Sequence, residues 1–131
     1  MSHGSIASLL ARASRAIDEY DVEALRDCFT DDAEFVLVTT DGNERVNKGP
    51  EVPDVLVRGA QRQGGRLRHV VLSVASEEVG PNRVVAKSYT VYVAVGHAEI
   101  LGISESIDEL ERQADGWKLA SRRVVLLSEL R

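Results

Sequence analysis

Residues 68–95, RHVVLSVASEEVGPNRVVAKSYTVYVAV, hold two long runs rich in β-branched residues around Gly80-Pro81-Asn82. Such runs fit a pleated, half-buried surface. Pro81 cannot donate to a ladder but fits a turn. The segment therefore predicts a β-hairpin, with strands from Leu67 to Glu77 and from Arg83 to Val95. A hairpin of this length needs a covering layer, and the flanking sequence supplies candidates for one.

Upstream, Ile6, Leu9, Leu10, Ala13, Ala16 and Ile17 recur at helical spacing, with Arg12, Arg15, Asp18 and Glu19 on the other side. They predict a helix from Ser5 to Tyr20, with Ser5 as its N-cap. Asp21 is placed to cap a shorter helix from Val22 to Phe29. Ala33 to Thr39 reads as a strand, with Phe35, Leu37 and Thr39 on one face. A polar loop from Thr40 to Gly49, a short helix from Pro50 to Ala60 and a Gly-rich loop from Gln61 to Arg66 precede the hairpin. Downstream, Ile103 to Gln113 alternates. Ile103, Glu105, Ile107, Glu109 and Glu111 share one face; Ser104, Ser106, Asp108 and Leu110 share the other. Ala114-Asp115-Gly116 turns the chain into a last strand, Trp117 to Leu127. Helices followed by antiparallel strands predict an α+β domain, its helices packed on one face of a curved antiparallel sheet. A bent sheet closed by helices leaves a cone with a pocket inside.

The chain has 131 residues, enough for one domain with a real core. The whole of 1–131 reads as that single domain, with residues 1–4 a disordered lead and His3 without a role. The net charge of −5 is spread in both signs, with no Lys/Arg block, and aromatics make up only 5%. Both facts argue against a nucleic-acid partner. No apolar run approaches a membrane span. The single cysteine, Cys28, allows no internal disulfide and fits a reducing, cytoplasmic setting.

Four segments, RAIDEYDVEALRDCFTDDAEFVL, RHVV, VVAKSYTVYV and SIDELERQADGWKLASRRVVL, occur in an order and spacing that resemble the SnoaL-like branch of the nuclear transport factor 2-like superfamily. The resemblance covers almost the whole chain. It implies a conical α+β fold, usually a homodimer through the outer sheet face. It also implies a range of activities: polyketide cyclases, dehydratases, isomerases, epoxide hydrolases and members with no known reaction. Relatives of the ketosteroid isomerase type carry an oxyanion-donating tyrosine on the first helix and a base aspartate on the first strand. The matching positions here are Ala13 and Leu37, which disfavours that chemistry. Where many relatives have Asn after the RH pair this chain has Ser73, and where they have Tyr before the strand-five aspartate it has Ser106.

His69 shares a strand face with Val71, Ser73 and Ala75. It reads either as an acid/base in a dry cavity or as a structural histidine bonded to backbone. Asp108, matching an aspartate common in the family, either orients and charge-balances His69 or pairs with Arg122 or Arg123 on the next strand. Ser73, Ser106, Asp32, Tyr89 and Tyr92 are candidate substrate-binding residues. Asp32 can equally bind backbone in a turn, and Tyr89 and Tyr92 face opposite sides, so at most one lines the pocket. Cys28 reads as a buried, inert thiol and Trp117 as core; His97 could reach only the pocket rim. Three scattered histidines make no metal set, and no Gly-rich loop opens a helix to hold phosphate. The expectation is a cofactor-independent cyclase, dehydratase or epoxide-opening enzyme acting on a hydrophobic, polyketide-like or terpenoid molecule. The alternatives are a non-catalytic small-molecule binder and a dimeric scaffold using Ile103 and Ile107 on its outer face.

Overall fold

A computed structural model describes residues 3–131, with side chains from Ser5 onward. The order is α1 (His3–Asp18), α2 (Val22–Arg26), β1 (Phe29–Val38), β2 (Glu44–Lys48), α3 (Val52–Arg62), β3 (Leu67–Gly80), β4 (Arg83–Ala94), β5 (Ile100–Gln113) and β6 (Gly116–Leu126). The disordered lead expected over residues 1–4 lies outside the described residues at 1 and 2, and α1 already runs at His3 and Gly4. The side chain of His3 is likewise outside them. Ser5 therefore lies inside the first turn and does not cap the helix. Asp21 does cap α2, accepting a hydrogen bond from the Ala24 N–H at 3.0 Å. Pro53 sits in the first turn of α3, where its missing N–H has no partner to lose.

The six strands form one curved, unclosed sheet in the order β2-β1-β6-β5-β4-β3. All neighbours are antiparallel except β1 and β6, which pair in parallel. The run of antiparallel strands read from the sequence thus closes on β1 through one parallel ladder. β2 falls in the stretch expected to be a polar loop. Of Glu44 to Lys48 only Val46 is apolar, and it is exposed like most of the strand, so no apolar alternation marks the segment. They become a strand because β1 offers them an edge.

The helices cover the concave face. Ile6, Leu9, Leu10, Ala13 and Ile17 of α1 pack with Leu25, Val52 and Val57 from the other helices. From the sheet they meet Phe35, Val84, Ala86, Leu110, Leu119 and Trp117. The inward face of β5 is the one that alternation assigned: Ser104, Ser106, Asp108 and Leu110 are all buried. Gly102 lets the C-terminal segment lie on β5, since a Cβ there would stand 3.0 Å from Leu130 Cδ1 and 3.3 Å from Ser128 Oγ. Among the described residues no helix is long and apolar enough to cross a membrane.

β3 departs from its expected alternation. Its register with β4 slips between Leu72 and Ala75, and Ser73 takes a left-handed backbone conformation with φ of 55°. This bulge changes which residues face inward. Val71 and Val74 both pack against the core, while Ser73 is exposed.

Leu110 is fully buried. Leu110→Ala is expected to lower unfolding free energy by about 2–5 kcal/mol, through lost transfer energy and the cavity left behind. Urea denaturation followed by circular dichroism measures the loss, which should leave the m-value unchanged.

Candidate functional site

The space between α1, α3 and the concave sheet forms a cavity with two lobes. The outer lobe is about 410 Å³ and is lined largely by aliphatic side chains, among them Leu67, Leu126 and Leu130. Arg45, Gln63 and Glu129 add polar groups to its wall. The inner lobe is about 100 Å³ and is lined by Ser14, Phe35, Thr90, Ser106, Arg122 and Val124. Ile17, Leu37, Leu56, His69 and Tyr92 line both lobes and so form the throat between them.

His69 is held at this throat from two directions. Its backbone N–H donates to Asp18 Oδ2 at 3.0 Å, and its Nδ1 lies 2.6 Å from Asp18 Oδ1. One carboxylate thus fixes both the backbone and the ring of the same residue. With Asp18 ionised, Nδ1 carries the hydrogen and Nε2 is the ring's remaining basic atom. The Asp18 side chain is 9% exposed and that of His69 20%. Tyr92, the cross-strand partner of His69, packs its ring at 71° to the imidazole with centroids 5.0 Å apart. The Tyr92 hydroxyl shares a 2.9 Å hydrogen bond with Ser104 Oγ. Burial pushes the phenol's pKa up, against the opposing pull of the Ser104 hydrogen bond, and so favours the neutral form.

Deeper in the cone, Arg122 forks onto Asp108. Nε donates to Oδ1 at 2.8 Å and Nη2 to Oδ2 at 3.0 Å. Asp108 is 0% exposed and Arg122 7%. Burial pulls the guanidinium's pKa down, but the adjacent Asp108 carboxylate more than offsets this and leaves it above its ordinary value. The pair comes from directly opposed residues of β5 and β6.

The structure therefore brings His69, Tyr92 and Ser106 to one cavity, and it corrects other sequence expectations. Asp108 does not pair with His69, because both its oxygens engage Arg122. Ser73 is turned out by the bulge. Asp32 is exposed and accepts a hydrogen bond from Thr30 Oγ1 at 3.0 Å, away from the lobes. Tyr89 is 39% exposed on the outer sheet face, opposite to Tyr92. His97 lies exposed beside Glu99. Cys28 is buried, its Sγ donates to the Ala24 carbonyl, and desolvation raises its pKa. Trp117 joins the core. Ala13 is core and Leu37 lines the throat, so neither contributes a polar group. Among the described residues no group of three or more His, Cys, Asp or Glu side chains converges as a metal ion would require.

Asp18 is the residue that sequence reading missed. Alternation of faces put it on the polar side of α1. A signal was nonetheless present: it closes the helix at its carboxyl end, where a negative charge opposes the helix dipole. A carboxylate in that place needs a compensating donor, and His69 supplies two.

A model of the SnoaL-like domain matches residues 2–123. No functionally curated protein matches the sequence significantly. Among solved structures, the chain is similar to Rv3472 of Mycobacterium tuberculosis, a protein of unknown function solved as a variant. The identity is 28% and the TM-score 0.73, over 93% of this chain and 69% of that one. It is also similar to ActVI-ORFA of Streptomyces coelicolor, at 20% identity and a TM-score of 0.78 over 95% and 97% of the two chains. Hexachlorocyclohexane dehydrochlorinase LinA-type3 of Novosphingobium barchaimii LL02 matches at 20% identity with a TM-score of 0.77, over 96% and 86%. The last two likenesses establish the fold.

Removing one member of the buried pair strands the other charge. Asp108→Ala is expected to cost about 3–5 kcal/mol, whereas the double variant Asp108→Leu/Arg122→Met costs far less because no charge is left unpaired. Thermal and urea unfolding of the single and double variants measure the difference.

Proposed function

The chain belongs to the SnoaL-like domain family, and from that premise we propose that it is a cofactor-independent acid/base enzyme acting on a hydrophobic small molecule. The observation that carries this reading is the 2.6 Å contact between His69 Nδ1 and Asp18 at the throat of the cavity. Cyclisation, dehydration and epoxide opening each need a group that takes a proton and returns it. His69 Nε2 fills that role, and Asp18 orients the ring and stabilises the imidazolium that forms. Tyr92 and Ser106 offer hydroxyls to substrate oxygen. The aliphatic outer lobe takes the apolar body of the substrate and keeps water from the reacting atoms. A cytoplasmic setting suits the unpaired Cys28.

Apolar Ala13 and Leu37 favour a second reading, a non-catalytic binder of the same ligands. Activity separates the two. In a screen of hydrophobic ketones, alcohols and epoxides, the enzyme turns over at least one class. His69→Gln lowers that turnover by about 100- to 10,000-fold, the usual share of a positioned acid/base. Asp18→Asn lowers kcat in the same direction with KM little changed. Unaltered turnover in His69→Gln would remove the histidine from the site.

The outer sheet face supports a homodimer. Val70, Val91 and Ile103 lie in one cross-strand row, and Leu72, Tyr89, Glu105 and Val125 in the next. Val70, Leu72 and Tyr89 are exposed there, an apolar patch of the sort that a partner covers. Sedimentation velocity is expected to show a dimer for the unaltered chain and a monomer for Leu72→Glu.

A further inference from the structure

The outer lobe carries a cation that the proposed acid/base role does not use. Arg45 lines this lobe and is exposed to solvent. It lies on the edge strand β2 directly opposite Leu37, a residue of the throat. Arg45 therefore shares the inward face with the throat and stands one strand farther out. Its neighbour Glu44 faces the other side, where Arg123 Nη2 donates to Glu44 Oε2 at 2.9 Å. Among the described residues no carboxylate lies within ion-pair distance of Arg45. Its fork of N–H donors is left for a ligand.

A second group on the same wall is also turned toward donation. The Gln63 amide oxygen accepts from Arg66 Nε at 3.0 Å, so its amide N–H is the end left for the lobe. Among the described residues Glu129 is the one acid lining the lobe, and its Oε1 already accepts from the Thr40 hydroxyl. The remaining wall is mostly aliphatic around a volume of about 410 Å³. Such a pocket, with free donors at its rim, suits a ligand that has an apolar body and an acceptor at its outer end. A carboxylate matches the guanidinium fork with two oxygens and makes charge-assisted hydrogen bonds. At an exposed rim it keeps part of its hydration, so it escapes most of the desolvation penalty it would meet deeper in the cone.

We infer that the ligand is an apolar carboxylic acid whose acid group binds Arg45 at the rim, with Glu129 as the charge that opposes it. The apolar body fills the outer lobe, and the end farthest from the acid reaches the throat beside His69. This rests on the reading of the cavity as the site of a hydrophobic small molecule. It stands whether or not His69 moves a proton. Arg45 is the specificity-determining residue: it selects the head of the ligand and thereby which end is presented to the imidazole.

The test uses the whole chain with three probes that share one apolar body: octanoate, octanol and octylamine. At neutral pH their heads are negative, uncharged and positive. Exposed ion pairs are individually weak, so calorimetric titration at low salt is expected to give octanoate a Kd about three- to tenfold below that of octanol, with octylamine the weakest. Arg45→Gln is expected to remove the advantage of the acid. Arg45→Lys restores part of it, because an ammonium keeps the charge and loses the fork. Glu129→Gln is expected to tighten octanoate by about twofold and to leave octanol unchanged. Raising salt from about 0.01 M to about 1 M shortens the screening length from about 30 Å to about 3 Å and is expected to erase the difference between acid and alcohol. Arg45 is exposed on an edge strand, so its variants keep the fold, and their melting temperatures verify this. Equal affinity for octanoate and octanol at low salt overturns the inference. So does tighter binding of octylamine, or an acid preference that survives Arg45→Gln. Turnover in the substrate screen is a separate readout. Acid preference without turnover strikes the acid/base role alone, and turnover without acid preference strikes the assignment of Arg45 alone.

Discussion

Asp18 carries a negative charge at the carboxyl end of α1, where the helix dipole opposes it. The two hydrogen bonds it receives from His69 offset that penalty, and in doing so they fasten the end of α1 to the start of β3. Much follows from this tie. The helix is fixed across the concave face. The imidazole is fixed in one orientation, with a defined nitrogen left over. The throat between the two lobes is set by the residues on either side, Ile17 next to Asp18 and Tyr92 opposite His69.

The second buried charge system has a different part. Asp108 and Arg122 satisfy each other deep in the cone, where burying either one alone would be prohibitive. Such a pair adds little net stability compared with well-packed apolar residues. What it adds is polarity without net charge at the bottom of an otherwise apolar cavity. The cavity therefore grades from an aliphatic outer lobe to a donor-lined inner one, with the candidate base at their junction. Under the proposed function, that gradient is what orients an amphiphilic ligand before any chemistry begins.

Sequence and structure agree where the signal is local. The turn at Gly80-Pro81-Asn82, the two long strands around it, and the inward face Ser104, Ser106, Asp108 and Leu110 follow from turn chemistry and alternation. β2 was not readable, because all its residues but Val46 are polar and they take strand form only against β1. The outward turn of Ser73 was not readable either. A single bulge residue reverses every face assignment after it, and nothing in the composition of β3 marks where the slip falls.

The candidate site divides on the same line. From the sequence alone came the α+β class, the helix-covered concave face, His69 and Ser106 as candidate pocket residues, and the opposite facing of Tyr89 and Tyr92, since side-chain direction along a strand is a matter of counting; that Tyr92 is the inward one came from the structure. The Asp108–Arg122 pair stood among its alternatives, because opposed strands of one hairpin bring those residues together. Only the tertiary structure decided that Asp18 holds His69. Those residues lie 51 positions apart, on a helix and a strand whose mutual placement depends on how the whole core packs. Periodicity reports which face a residue takes, and it carries no information about which distant element that face will meet.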